Sequence, residues 1–180
     1  MRVITGKARG VQLKTPEGML TRPTADRVKE ALFSIINFEI PGANVLDLFG
    51  GTGQLGIEAL SRGAQRAVFV DAREDACKLI QENLKRTKLA QDGQVIRCDY
   101  MDYLNRCREQ FSIIFLDPPY AEVYLENAIK RIMEIDILQS DGIIVTERPL
   151  GKDLPLEFEG YQRSKDYKYG KTLLAIYRKL

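Results

Sequence analysis

The chain is 180 residues long, enough for one substantial domain and too short for two ordinary ones. Its 44% hydrophobic and 29% charged residues exclude a disordered chain, and its longest stretch without a charge, the ten residues Leu48 to Ile57, excludes a membrane-spanning helix. Histidine is absent, which excludes Ser-His-Asp and Cys-His catalysis and any His-ligated metal site.

No apolar signal region opens the chain, and Cys77, Cys98 and Cys107 form no Cys-x-x-Cys pair. The expectation is a cytoplasmic protein with reduced cysteines, no metal and no membrane contact. The net charge of +2 is unevenly spread: residues 1–38 carry seven Lys/Arg against three Asp/Glu, residues 39–180 carry 20 against 22, and residues 160–180 six against one. Two basic ends around a mildly acidic middle suit a polyanion at the periphery, although solvated surface charge has the same pattern.

In chain order, Arg2-Val3-Ile4-Thr5 and Val11-Gln12-Leu13 alternate like strands around Gly6 and Gly10 and predict a small hairpin. Thr21-Arg22-Pro23-Thr24 breaks this pattern and leads into a helix whose Val28, Ala31, Leu32, Ile35 and Ile36 share one face, ended by Pro41-Gly42. From residue 44 onward strands and helices alternate. Strands are expected at Asn44–Leu48, Ala67–Val70, Gln94–Cys98, Ser112–Leu116 and Gly142–Thr146, and helices near 54–62, 73–88, 102–107 and 123–135. Short apolar runs followed by polar or glycine-rich loops read as a parallel sheet covered on both faces. Tyr161–Tyr169 and Thr172–Tyr177 read as an antiparallel pair turning at Gly170-Lys171. The whole is one three-layer α/β domain over residues 25–180 behind a basic hairpin extension at 1–24, with a mostly parallel sheet of seven strands.

After the first core strand, Gly51, Gly53 and Gly56 satisfy G-x-G-x-x-G between a strand and a helix. No Gly-Lys-Ser/Thr follows, so this is not a P-loop. Asp71, 20 positions after Gly51, can accept hydrogen bonds from a ribose, which fits a dinucleotide and S-adenosylmethionine equally. Asp47 favours the second: a carboxylate is unwelcome beside a pyrophosphate but suits a cationic amino group, directly or through water. Asp99, ending the third strand, is placed to reach an adenine amino group. Each acid alone would more often be a loop or helix-cap residue.

Strand four ends in Asp117-Pro118-Pro119-Tyr120, the most specific signal in the chain. The two prolines stiffen the backbone and restrict the residue before each. The Asp117 carboxylate and the Pro118 carbonyl are two converging acceptors, which is what an exocyclic nucleobase amino group requires. Tyr120 offers a ring on which the base can stack.

These residues resemble the amino-methyltransferases with an S-adenosylmethionine-binding Rossmann-like fold. End to end the chain resembles the bacterial RsmD family, which methylates the guanine N2 amino group of 16S ribosomal RNA. The resemblance is carried by Gly6-Lys7…Gly10, Thr21-Arg22-Pro23-Thr24…Asp26-Arg27-Val28, Asp47-Leu48-Phe49…Gly51-Thr52-Gly53…Leu55-Gly56, Asp117-Pro118-Pro119-Tyr120 and Tyr169-Gly170. Gly50 stands where Ala is usual, which predicts a looser cofactor loop; Thr52 stands where Ser is usual, and Glu147-Arg148-Pro149 keeps a familiar acid but has an unusual proline.

The resemblance implies that Asp117, Pro118, Pro119 and Tyr120 carry the reaction. Asp47, Phe49, Gly51, Gly53, Asp71, Asp99 and Tyr100 would bind S-adenosylmethionine. Lys7, Arg9, Lys14, Arg22, Lys165, Lys168 and Lys171 would contact RNA phosphates, with Arg22 and Thr24 alternatively closing over the cofactor. The substrate would be 16S rRNA or a small ribosomal subunit and the protein a monomer. Rival readings are methylation of a DNA adenine or a protein amide, an NAD-dependent oxidoreductase, and a non-catalytic RNA-binding or ribosome-assembly module.

Overall fold

Five short apolar runs build the centre of the sheet: β1 (Asn44–Asp47), β2 (Arg66–Asp71), β3 (Gly93–Arg97), β4 (Phe111–Leu116) and β5 (Leu138–Pro149). The computed structural model describes residues 1–16, 23–119, 121–151, 154–158, 160–164 and 166–180, without the side chains of 23–25 and 121–122. The five strands pair in parallel in the order β3-β2-β1-β4-β5. In β1, β2, β4 and the middle of β5 the continuous hydrophobicity follows from burial on both faces, whereas β3, at the end of the order, has no buried residue.

Helices α1 (Pro23–Ile35), α2 (Gln54–Ser61) and α3 (Glu74–Arg86) cover one face, where Leu32, Phe33, Ile57 and Ile80 join Val45, Phe69, Phe115 and Val145 in one core. Helices α4 (Tyr100–Arg106) and α5 (Ala121–Ile135) cover the other, where Leu104, Leu125 and Ile129 join Leu46, Val68, Ile114 and Leu116. The two sets alternate along each strand, as a two-residue period demands. β1 and β4 are neighbours in space but not in sequence. At such a reversal of strand order, the crevice beyond the carboxyl ends is where open α/β sheets bind ligands.

The C-terminal strands differ from the sequence reading. Among the described residues the sheet has nine strands, because β6 (Glu157–Phe158), β7 (Tyr161–Arg163) and β8 (Tyr167–Tyr169) are separate pieces around β9 (Thr172–Lys179). β9 runs antiparallel to β5, from Ile143↔Arg178 to Pro149↔Thr172. Arg163 faces Tyr177 and Tyr167 faces Leu174, so the β7–β8 side holds one more residue than β9, a bulge. There Asp166 meets Arg148, whose Nη2 donates to its Oδ2 at 2.7 Å while the Arg148 side chain is fully buried. A straight strand would withhold that carboxylate from a buried cation.

The N-terminal hairpin reduces to a single antiparallel bridge, Arg2↔Gln12, flanked by Val3 N–H to Val11 C=O, Gly10 N–H to Val3 C=O and Leu13 N–H to Met1 C=O. It is held mainly by α2. Glu58, 0% exposed, accepts from Ile4 N–H at 2.8 Å, Thr5 N–H at 3.0 Å and Arg62 Nε at 2.8 Å. Lys29, 2% exposed, lies 3.5 Å from the same carboxylate and donates to Arg2 C=O at 2.6 Å. Burial lowers the Lys29 pKa, and Glu58 opposes that shift. Ser61 adds two bonds, accepting from Ala8 N–H and donating to Thr5 C=O. Val3, Ala8 and Leu13 are thereby buried in the first core. No helix among the described residues is long and apolar enough to cross a membrane.

Removing one partner of a buried ion pair costs about 3–5 kcal/mol, because the other charge stays behind. Glu58→Ala also orphans two backbone N–H groups, so its urea denaturation midpoint should fall sharply. Ser61→Ala should lose only about 1–3 kcal/mol.

Candidate active site

The glycine loop is shaped before any ligand arrives. Gly51 and Gly53 adopt φ of +56° and +78°, the left-handed region where a side chain would be strained. Gly50 N–H donates to Val70 C=O and Gly53 N–H to Gly50 C=O, at 2.8 and 2.7 Å, tying the loop to β2 and to itself. The looser loop expected from Gly50 is not found: a Cβ there would come within 2.7 Å of Ile80 Cδ1, so that methyl fills the space an alanine would take. Gly56 is glycine because a Cβ would strike the Phe69 ring at 2.3 Å. Gly53 caps α2 without a side chain, and Asp47 supplies the missing acceptor, its Oδ2 bonding Gly56 N–H at 3.1 Å.

Strand register aligns the acids. Asp47 pairs with Phe69 on β2 and Phe115 on β4, and Phe115 pairs with Val145 on β5. Two residues on, Asp71, Asp117 and Glu147 continue those columns past the edge, on the face of the first core. Asp47 is 2% exposed, and burial pushes its carboxyl up to about 8, with Asp117 and Asp71 adding to the rise. Burial raises Asp117 too, and Glu147 rises by burial and by the charge of Asp117. Asp71 accepts from Gly51 N–H on Oδ2 and Arg73 N–H on Oδ1, both at 2.9 Å. Asp99 caps α4 through Met101 and Asp102 N–H.

This crevice repels a pyrophosphate and suits a ligand with a cationic centre and many donors. Asp71 keeps lone pairs for a ribose diol after its two backbone bonds. Asp47 is too deep to meet a ligand broadly; its present work is to hold the start of α2. Phe49 and Tyr100 lie with centroids 5.2 Å apart and ring planes tilted by 39°, and Tyr124 closes an aromatic cluster at 6.2 and 5.5 Å from them. Pro118 is buried and Pro119 exposed at the mouth.

Tyr120, Arg22 and Lys165 lie outside the described residues, as do the side chains of Pro23 and Thr24. The other basic residues do not gather at one place. Lys171 C=O accepts from Leu150 N–H, so Lys168 and Lys171, both exposed, flank the carboxyl edge. Lys14 pairs with Glu82, and its backbone joins Asn83 close to the glycine loop. Lys7 and Arg9 sit at the opposite end of α2, where Lys7 N–H bonds Ser61 C=O, roughly 12 Å of helix away. Arg9 there shares a cleft of about 560 Å³ with Arg2, Arg27, Asp26 and Glu30.

Two residues of the edge escaped the sequence reading. Tyr124 looks like an ordinary residue of the α5 pattern, and nothing in the sequence places it against Phe49. Glu147 did leave a signal: it follows the strand run Gly142–Thr146 as Asp117 follows Ser112–Leu116.

Comparison with known proteins places the chain. The family model described as conserved hypothetical protein 95 matches residues 1–178. Bacillus subtilis YlbH is 41% identical over 182 residues, covering 99% of each chain. Haemophilus influenzae ribosomal RNA small subunit methyltransferase D is 35% identical over 159 residues, covering 87% of this chain and 81% of the relative. The solved structure of Escherichia coli YhhF has a TM-score of 0.89 at 28% identity, covering 99% of this chain and 97% of that one. A match that runs from the hairpin to the last strand leaves no segment of the fold unaccounted for, and the chain belongs to the conserved hypothetical protein 95 family, which is the RsmD family.

Proposed function

We propose that this protein transfers a methyl group from S-adenosylmethionine to the exocyclic N2 amino group of a guanine in 16S ribosomal RNA, on a small-subunit particle. The observation that carries the reading is the β4 tip, where a recessed Asp117 carboxylate accepts no hydrogen bond from the described residues and is followed by two prolines. It opens beside a glycine loop and an acidic crevice suited to a cation. The naming of the Haemophilus influenzae relative as a ribosomal RNA small subunit methyltransferase supports RNA as substrate.

S-adenosylmethionine supplies a methyl group on a sulfonium that departs as a neutral thioether. Asp71 would hold the ribose, Asp99 and the Phe49–Tyr100 pair the adenine, and the crevice around Asp47 the cationic end. Asp117 and the Pro118 carbonyl each accept one N2–H, which fixes the nitrogen and turns its lone pair toward the methyl carbon. The methyl carbon would pass from sulfur to N2 with the C–S electron pair left on sulfur, and Asp117 would take the surplus N2 proton and release it to water. Burial makes Asp117 a more basic acceptor than an exposed carboxylate, so no histidine is needed. Positioning of this kind contributes roughly 7–11 kcal/mol. The guanine must leave its stack to reach the site.

Incubation with labelled cofactor and small subunits from cells lacking the protein should yield N2-methylguanosine on nucleoside analysis; a different product overturns the substrate. Asp117→Asn should reduce methyl transfer by about 100-fold or more while cofactor binding, measured by calorimetry, persists. A non-catalytic assembly module would instead keep its biological activity in that variant. The raised Asp117 carboxyl must be ionised to accept, so kcat/KM should fall on acidification with an inflection above the ordinary carboxylate range of about 4. RNA affinity should drop steeply with salt, and replacing Lys168 and Lys171 together by Ala should flatten the log–log slope by about 1–2.

A further inference from the structure

Asp117 and Glu147 stand apart from the other acids of the carboxyl edge. Asp47 accepts from Gly56, Asp71 from Gly51 and Arg73, and Asp99 from Met101 and Asp102. Among the described residues no group donates to Asp117 or Glu147. Parallel pairing of Leu116 with Thr146 carries the chain directly into these two residues, side by side on adjacent strands about 4.8 Å apart and on the same face. Half-buried acceptors that take no hydrogen bond from the described residues mark, at a ligand crevice, the donors a ligand can bring.

Two neighbouring acceptors call for two neighbouring donors. Adenine and cytosine place a ring-nitrogen acceptor beside their amino group. Uracil has no amino group. Guanine alone places a ring N–H next to the exocyclic NH2. We propose that Glu147 is the residue that selects guanine, its carboxylate accepting the N1–H while Asp117 holds the adjacent N2 amino group. This assignment rests on the N2-methyltransferase reading above and adds the source of its base specificity.

The pair also serves the transfer itself. Positive charge grows on N2 as the N–C bond forms, and two carboxylates on adjacent strands oppose it through space. Burial holds both carboxyls above their ordinary range, the charge of Asp117 adds to the rise at Glu147, and a donor on each oxygen pair relieves that penalty. The N1 proton stays on N1 throughout; only the N2 proton is lost, as balanced above. An adenine would instead turn the N1 lone pair toward Glu147, a repulsive contact whenever that carboxyl, pushed up to about 8 by burial and by the charge of Asp117, is ionised.

The test uses the full-length protein and small subunits carrying either guanine or 2-aminopurine at the nucleotide found to be methylated. 2-Aminopurine keeps the amino group at C2 and lacks the N1–H. Wild-type kcat/KM should favour guanine by about 100-fold or more, since a site built around a donor rejects an analogue without it. In Glu147→Gln the amide can donate to the bare N1, so the preference should shrink at least about tenfold, with cofactor affinity unchanged as proof of folding. Equal wild-type rates on the two bases overturn the role of Glu147 without any variant, as does an unchanged preference in a folded Glu147→Gln. Absence of wild-type transfer to guanine is a separate result, and it overturns the N2-methyltransferase reading instead.

Discussion

Everything at this site depends on holding several carboxylates together, away from water, at one edge of a parallel sheet. The register of β2, β1, β4 and β5 leaves no choice about this, because Asp71, Asp47, Asp117 and Glu147 fall on one face where each strand ends or passes the edge. Bringing like charges together in a poorly solvated crevice is unfavourable, and the fold offsets it with backbone donors. Gly56 and Gly51 N–H groups are the principal ones, and both are presented by the glycine loop. The loop is therefore as much a support for the acids as a bed for a cofactor. Burial raises the carboxyls, Asp47 and Glu147 to about 8, so the edge disfavours phosphates and takes on negative charge most readily when a cation or hydrogen-bond donors arrive.

The glycine loop is in turn tied to the N-terminal hairpin. Asn83, fully buried on α3, accepts from Lys14 N–H at 2.8 Å and donates to Lys14 C=O at 3.0 Å and to Thr52 C=O at 2.9 Å. All its polar atoms are used, so this is a rigid link between the end of the hairpin and the loop that holds Asp71. At the other end of α2 the Glu58–Lys29 cluster anchors the hairpin tip. A chain segment that reads as a basic appendage is built into the core from both ends, by Glu58 and Ser61 at one and by Asn83 at the other.

What was legible in the sequence divides along the range of the interaction involved. Four of the five parallel strands were readable because burial on both faces leaves a local signature, an apolar run between polar loops, and β3, with no buried residue, shows only the short Val95-Ile96 run. The Asp117-Pro118-Pro119 tip was readable because proline restrictions are local too. Illegible were features set by pairing between distant segments. The hairpin looks like strand alternation, yet it forms one bridge because α2, about 50 residues away, supplies its hydrogen bonds. The stretch Tyr161–Tyr169 reads as one strand, and only the buried Arg148 on β5 explains why it bulges to deliver Asp166. Asp99 shows the opposite case, since its helix-cap geometry was the bland expectation for an isolated acid and is what the fold adopts.

The acids of the edge form a graded series, and the grading separates support from recognition. Asp47 is buried and bonded to the start of α2, Asp99 gives one oxygen to a helix start, and Asp71 shares its oxygens between backbone and crevice. Asp117 and Glu147 give nothing to the protein among the described residues. Evolutionary freedom of sequence does not explain such a gradient, because an acid that only burdened the core would be replaced at a gain in stability. A half-buried carboxylate that takes no donor from the described residues is stabilised when a ligand supplies one. Two of them in register on adjacent strands specify the spacing and polarity of that supplier, and the stiff proline corner beside them keeps the specification from relaxing before it is met.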